Sequence, residues 1–151
     1  MKTLQKNSHY FALIVALSAM AGSMFFSEVL QYPPCVLCWY QRVCMYPIVG
    51  ILALGIYFRD KYVYRSVLLL SGIGMLISLY HNLLYYQVLP EAAAPCRLGV
   101  SCTTKFIEYF GFITIPFLSG TAFALVILFM LFYRHSVLSG EKKSSKGRSA
   151  L

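Results

Sequence analysis

Four long apolar stretches set the pattern of the chain. They run from about Tyr10 to Ser27, Trp39 to Phe58, Ser66 to Tyr86 and Tyr109 to Tyr133, and Arg42 is the one charged residue inside any of them. A bilayer core about 30 Å thick takes roughly 20 apolar residues at 1.5 Å per helical residue. Each stretch is therefore predicted as a membrane-spanning helix. No repeat of solenoid period relates the four. The first could be a cleaved signal peptide, since Ala19, Met20 and Ala21 resemble a cleavage site. Its apolar run continues through Met24, Phe25 and Phe26, past the length of a signal core, so it is read as a span.

Composition agrees with this pattern. Of 151 residues, 59% are hydrophobic and 12% charged, with a mean hydropathy of +0.68. A soluble domain carries about 25% charged residues, so a disordered chain, a collagen-like chain and an ordinary cytosolic enzyme are excluded. The expected fold is an all-α integral membrane protein: a four-transmembrane-helix bundle over residues 1–138, followed by a basic, disordered cytoplasmic tail over 139–151.

The net charge is +8, but the basic residues fall between the apolar runs and in the tail, not on one folded face, which argues against nucleic acid as a partner. Ten of the thirteen lie before span one, between spans two and three, or after span four. By the positive-inside rule both termini and the 59–65 turn are cytoplasmic, and the two cysteine-bearing loops are extracytoplasmic. Tyr32, Trp39, Tyr40, Tyr85, Tyr86 and Tyr109 flank the outer ends of the spans, where an interfacial aromatic belt is expected.

Four of the five cysteines share that outer side. Cys35 and Cys38 form a C-x-x-C directly after Pro33 and Pro34, where span two can begin. A helix N-terminus favours thiolate over thiol, which points to redox chemistry. Cys96 and Cys102 bracket a five-residue segment able to close a ring. A structural zinc site fits poorly, because its ligand pairs are usually two to four residues apart. Two inert disulfides are the stronger competing reading. Cys44 lies deeper, on another face, and reads as a small buried hydrophobe.

Arg42 stands one helical turn below Cys38, where charge is costly. It either snorkels to lipid phosphate or stabilises an anion, a Cys38 thiolate or an electron acceptor. His81, near the outer end of span three, is suited to donating to a carbonyl oxygen, relaying a proton or simply packing. Glu28, Gln31 and Gln41 share the zone without an assignable role.

The motifs PCVLCWYQR at Pro34–Arg42, Pro95–Cys102 and YFGFITIPFL at Tyr109–Leu118 resemble the DsbB family of disulfide bond formation proteins, in its short BdbC-type branch. FSE at Phe26–Glu28, MYP at Met45–Pro47 and GFITIPFLS at Gly111–Ser119 extend the likeness over about residues 10–133. The resemblance implies a four-helix thiol oxidase of the bacterial cell membrane. Such an enzyme reoxidises an extracytoplasmic thioredoxin-fold oxidase of the DsbA/BdbD kind and reduces a membrane quinone, menaquinone or ubiquinone, without a metal. Carried over by position, Cys96 and Cys102 accept electrons from the partner, Cys35 exchanges with Cys102, Cys38 faces the quinone, and Arg42 and His81 belong to the quinone site. A vitamin-K-epoxide-reductase-like enzyme also pairs a C-x-x-C with a quinone, but there the motif lies near the end of a later span.

Overall fold

The computed structural model describes the backbone of residues 2–88 and 114–148 and the side chains of residues 7–88 and 114–140. Among these residues the order is α1 (Lys2–Met24), a π-helical turn (Phe25–Val29), α2 (Val36–Tyr57), α3 (Val63–Tyr85) and α4 (Ile115–Arg148). Stretches long and apolar enough to cross a membrane cover Asn7–Val29, Val36–Tyr57, Val63–Tyr85 and Ile115–Gly140. All four predicted spans are thus present as helices. Residues 109–113 of the fourth lie outside the described residues.

Two boundaries differ from the sequence reading. Span two begins at Val36, three residues before Trp39, because the prolines stop helix only up to Pro34 and nothing after them opposes it. At the other end of the chain, α4 passes Tyr133 and runs to Arg148, so residues 139–148 carry helical backbone where a disordered tail is predicted. No proline follows Pro116, and Glu141, Lys142 and Lys143 are good helix formers that extend a helix already nucleated by the span.

Among the described residues the turns are built without glycine. After α2, Arg59 adopts φ 55°, and the N–H of Asp60 donates to Gly55 O at 2.9 Å while that of Arg59 donates to Ile56 O at 3.3 Å. This is a Schellman cap, a left-handed residue just past the helix end. Asp60 Oδ1 then accepts from the N–H of Tyr62 at 2.8 Å, and α3 follows at once. Gln87 at φ 56° repeats the cap after α3, with the N–H of Val88 donating to Leu83 O at 3.0 Å. Helix α4 opens on Thr114, whose Oγ1 accepts from the N–H of Phe117 at 3.3 Å. Pro116 falls in the first turn, where its missing N–H is not needed.

Each helix packs against its sequence neighbour, and α1 against α4 closes the ring. Inward stripes step by three and four residues: Leu37, Gln41, Cys44, Met45, Ile48 and Leu52 on α2, and Val67, Ser71, Gly74, Ser78 and His81 on α3. Large apolar side chains such as Val43, Leu54, Leu69 and Leu76 point outward, as lipid solvation permits. At the α3–α4 seam a Cβ on Gly74 would overlap the ring of Phe123, which is fully buried there. Gly74→Ala is therefore expected to destabilise the folded protein in detergent by about 1–3 kcal/mol through overpacking. Gly72→Ala, whose Cβ would meet open space, should be close to neutral. Equal thermal unfolding midpoints for the two variants would refute this account of the seam.

Candidate functional site

The C-x-x-C is placed by the start of α2. Cys35 is the N-cap, with φ −71° and ψ 169°, and its sulfur accepts the N–H of Cys38 at 3.3 Å. An N-cap side chain ordinarily reaches the N–H two or three residues on, so the x-x spacing sets the second cysteine at the capped position. The two sulfurs come to 2.9 Å as free thiols, Cys35 buried and Cys38 partly open. Small rearrangement of Sγ would close a disulfide.

Helix α3 brings His81 to the pair, its Nε2 3.8 Å from the Cys35 sulfur. The ring's Nδ1 lies 3.2 Å from Gln41 Nε2, and Gln41 Oε1 accepts from Ser119 Oγ at 2.8 Å. A polar chain thus crosses the bundle from α4 through α2 to α3 and ends on sulfur. Gln41, which had no assignable role from sequence, is buried in the middle of it. Its position on the inward stripe of α2 was the available signal, since a buried amide requires partners.

Arg42 turns the other way. Its Nη2 donates to Ser23 O at 2.8 Å, and the guanidinium lies 5.6 Å from the Trp39 ring centroid. The reach to lipid phosphate weighed from sequence is replaced by a reach to α1, whose last turn widens into the π-helical Phe25–Val29 beside it. Ser27 Oγ donates to the same carbonyl at 3.3 Å.

Cys35, Cys38, Arg42 and His81 all line one cavity of about 670 Å³, whose remaining wall is mostly apolar and drawn from α1, α2 and α4. Tyr32 and Tyr85 also line it, so these two wall a pocket where an aromatic belt is expected, whereas Trp39, Tyr40 and Tyr86 are exposed as belt residues should be. Cys44 is buried in the central core, as expected. The sulfurs and His81 Nε2 lie within 4.8 Å of one another, a cluster whose donors also suit a thiophilic metal. Cys96 and Cys102 lie outside the described residues.

The architecture is that of a four-span membrane protein carrying a dithiol at a helix N-terminus beside an apolar cavity. The profile of the family described as "Disulfide bond formation protein DsbB" matches residues 5–133, and the chain belongs to that family. It is 46% identical over 135 residues to Disulfide bond formation protein C of Bacillus subtilis, covering 88% of this chain and 93% of that protein. It is 48% identical over 115 residues to Probable disulfide formation protein C of Halalkalibacterium halodurans, covering 76% and 84%. A prophage-derived disulfide bond formation protein B of Bacillus subtilis is 40% identical over 120 residues, covering 78% of this chain and 80% of its own. No solved structure gave a significant match.

The Cys35 thiol is held down to about 4, first by the hydrogen bond from Cys38, then by His81 and the Cys38 N–H, all acting against burial. A thiol reacts as thiolate, and thiolate persists above the folded pKa. Alkylation of Cys35 in the reduced protein should therefore stay on a plateau from pH 8 down to about pH 6, and fall only as pH approaches 4. An ordinary thiol slows about tenfold per unit below pH 8, and that slope at Cys35 in site-resolved mass spectrometry would contradict the geometry.

Proposed function

We propose that this protein is a membrane thiol oxidase. It reoxidises a thioredoxin-fold disulfide oxidase on the extracytoplasmic side of the bacterial cell membrane and passes the electrons to a membrane quinone, supporting disulfide formation in exported proteins. The observation that carries the reading is that the Cys35–Cys38 pair opens onto an apolar cavity shared with Arg42. Membership of the disulfide bond formation family supplies the reaction class.

The cavity suits the acceptor. A quinone head is flat and apolar with two carbonyl oxygens, and a cavity of about 670 Å³ is within the range of small-molecule sites. Arg42 is the cation on its wall, able to donate to a carbonyl oxygen, and Cys38 is the more open of the two sulfurs. The quinone supplies a sink for two electrons and two protons.

In this reading the chain's own sulfurs carry the electrons inward. A thiolate of the reduced partner attacks Cys96, breaking a Cys96–Cys102 disulfide and releasing Cys102 as thiolate. Cys102 attacks Cys35 and displaces Cys38, and Cys96 is freed when the partner's second thiolate closes its own disulfide. Cys96 then resolves the Cys102–Cys35 bond, leaving Cys35 and Cys38 as the reduced pair. Two electrons have moved from the partner to α2, and exchange is fast where the leaving thiolate is stabilised. The positive-inside distribution of Lys and Arg supports cytoplasmic termini and this chemistry on the outer side.

The test is quinone reduction by the purified protein in detergent, supplied with a reduced thioredoxin-fold oxidase and followed by quinone absorbance. Cys38→Ala is expected to abolish turnover. Arg42→Ala should raise KM for quinone about tenfold or more, the worth of one charge-assisted hydrogen bond, and leave KM for the partner nearly unchanged. Full turnover in Cys38→Ala, or no turnover in the folded wild type with benzoquinone or naphthoquinone acceptors, would refute the reading.

A further inference from the structure

We propose that Gln41 is a positioning residue of the dithiol: its amide, oriented by Ser119, holds His81 in the tautomer whose Nε2–H donates to the Cys35 sulfur. The purpose of this device rests on the thiol oxidase reading, but its geometry does not.

The orientation follows from counting protons. Pro116 O accepts from Ser78 Oγ at 3.0 Å and from Asn82 Nδ2 at 3.1 Å. The carbonyl is thus already served, and the one proton of Ser119 Oγ goes by its shorter contact, 2.8 Å, to Gln41 Oε1. With its oxygen facing Ser119, the amide presents Nε2 to His81 Nδ1 at 3.2 Å. An amide nitrogen only donates, so Nδ1 accepts. The ring's own proton in the neutral form then sits on Nε2, the atom 3.8 Å from the Cys35 sulfur.

The fit is close-packed. Gln41 and His81 are buried, and a Cβ on Gly120 would crowd Ser78 Oγ, so α4 needs a glycine there to bring its serine to the network. The titratable and charged groups around the pair, among the described residues, are Cys38, Arg42 and Tyr46 on α2, Tyr80 and Tyr85 on α3 and Tyr32 before α2. The cavity-lining residues of α1 and α4 include none. Arg42 is engaged with Ser23 O, and His81 brings its Nε2 to 3.8 Å from the Cys35 sulfur.

A donor on Cys35 has a use at the end of the relay. Closing the Cys35–Cys38 disulfide gives up two electrons and two protons in all, which a bound quinone would take up in becoming the quinol, and a donor on Cys35 would hold that sulfur as the thiolate that bonds to Cys38. A hydrogen bond to one ring nitrogen that fixes a histidine tautomer sets what the other nitrogen can do, in the way seen around metal-bound imidazoles. The resemblance gives His81 to the quinone; this geometry gives its Nε2–H to sulfur.

The test uses the reduced full-length protein in detergent, with iodoacetamide as probe, site-resolved by mass spectrometry from about pH 4 to about pH 9. Gln41→Leu is expected to move the Cys35 midpoint up by about one unit or more, slowing alkylation at acid pH about tenfold. Gln41→Glu should retain the low midpoint, because a carboxylate keeps a proton on Nδ1 and the charged ring still donates from Nε2. In a His81→Phe background Gln41→Leu should add nothing. The 15N spectrum of His-labelled wild type, which depends on no variant, should show Nε2 protonated and Nδ1 bare in the neutral ring. The reverse tautomer, or an unmoved midpoint in folded Gln41→Leu, would overturn the proposal. Neither measurement uses quinone or partner, so a wild type inactive toward quinone would sink the oxidase reading and leave this one standing.

Discussion

The site depends on where α2 begins. Cys35 takes the place of a capping oxygen, its sulfur accepting the N–H of Cys38, and that single contact fixes the register of everything downstream. From this start the helix presents Gln41 to the bundle interior and Arg42 to the cavity, with Cys44 and Met45 in the core. A start at Trp39, as the apolar run alone predicts, would leave Cys38 outside the helix and free of this constraint. The capping contact makes the two cysteines unequal: both line the cavity, but one is the cap, buried and held by N–H donors, while the other lies in the first turn and is partly open.

The interior of the bundle is built to accept such a polar centre. Where lipid surrounds a protein, burying large apolar side chains gives little advantage, and small or hydrogen-bonding residues let helices approach. Helix α3 shows this along its length. Ser71 donates to Val67 O within its own helix, Gly74 lies under the Phe123 ring, and Ser78 and Asn82 reach across to Pro116 O. One turn further, the same face carries His81. The polar chain to Cys35 is the outer end of a packing stripe, and it needs no separate architecture.

The parts of this protein legible in its sequence are those fixed by local physics. Bilayer thickness dictates span length, so four helices could be counted from apolar runs. The proximity of Cys35 and Cys38 follows from a three-residue separation at a helix start, and the burial of Cys44 from its helical phase. What the sequence could not show depends on partners far along the chain. Arg42 finds Ser23 on α1, nineteen residues away. Gln41 meets His81 and Ser119 across gaps of 40 and 78 residues, and no local pattern encodes such a meeting. Tyr85 misled for a related reason: it sits at a span end, where a belt is the usual role, but its position on the inward face of α3 turns it into the cavity wall.

The two sides of the dithiol are served by different helices, and this bears on how a relay of thiols could keep its direction. On one side α3 and α4, through His81, Gln41 and Ser119, bring a donor to Cys35. On the other side α1, through Ser23, anchors Arg42 near Cys38. A symmetric environment would stabilise either sulfur as leaving group and let exchange run both ways with equal ease. Here the buried cysteine accepts the Cys38 N–H and lies beside His81, while the partly open one lies a turn on, beside Arg42, along the same apolar cavity. An incoming thiolate and a terminal acceptor would therefore meet different atoms of the same pair. Separating those roles takes only one residue in the cap and one in the first turn, which is what a C-x-x-C at a helix N-terminus provides.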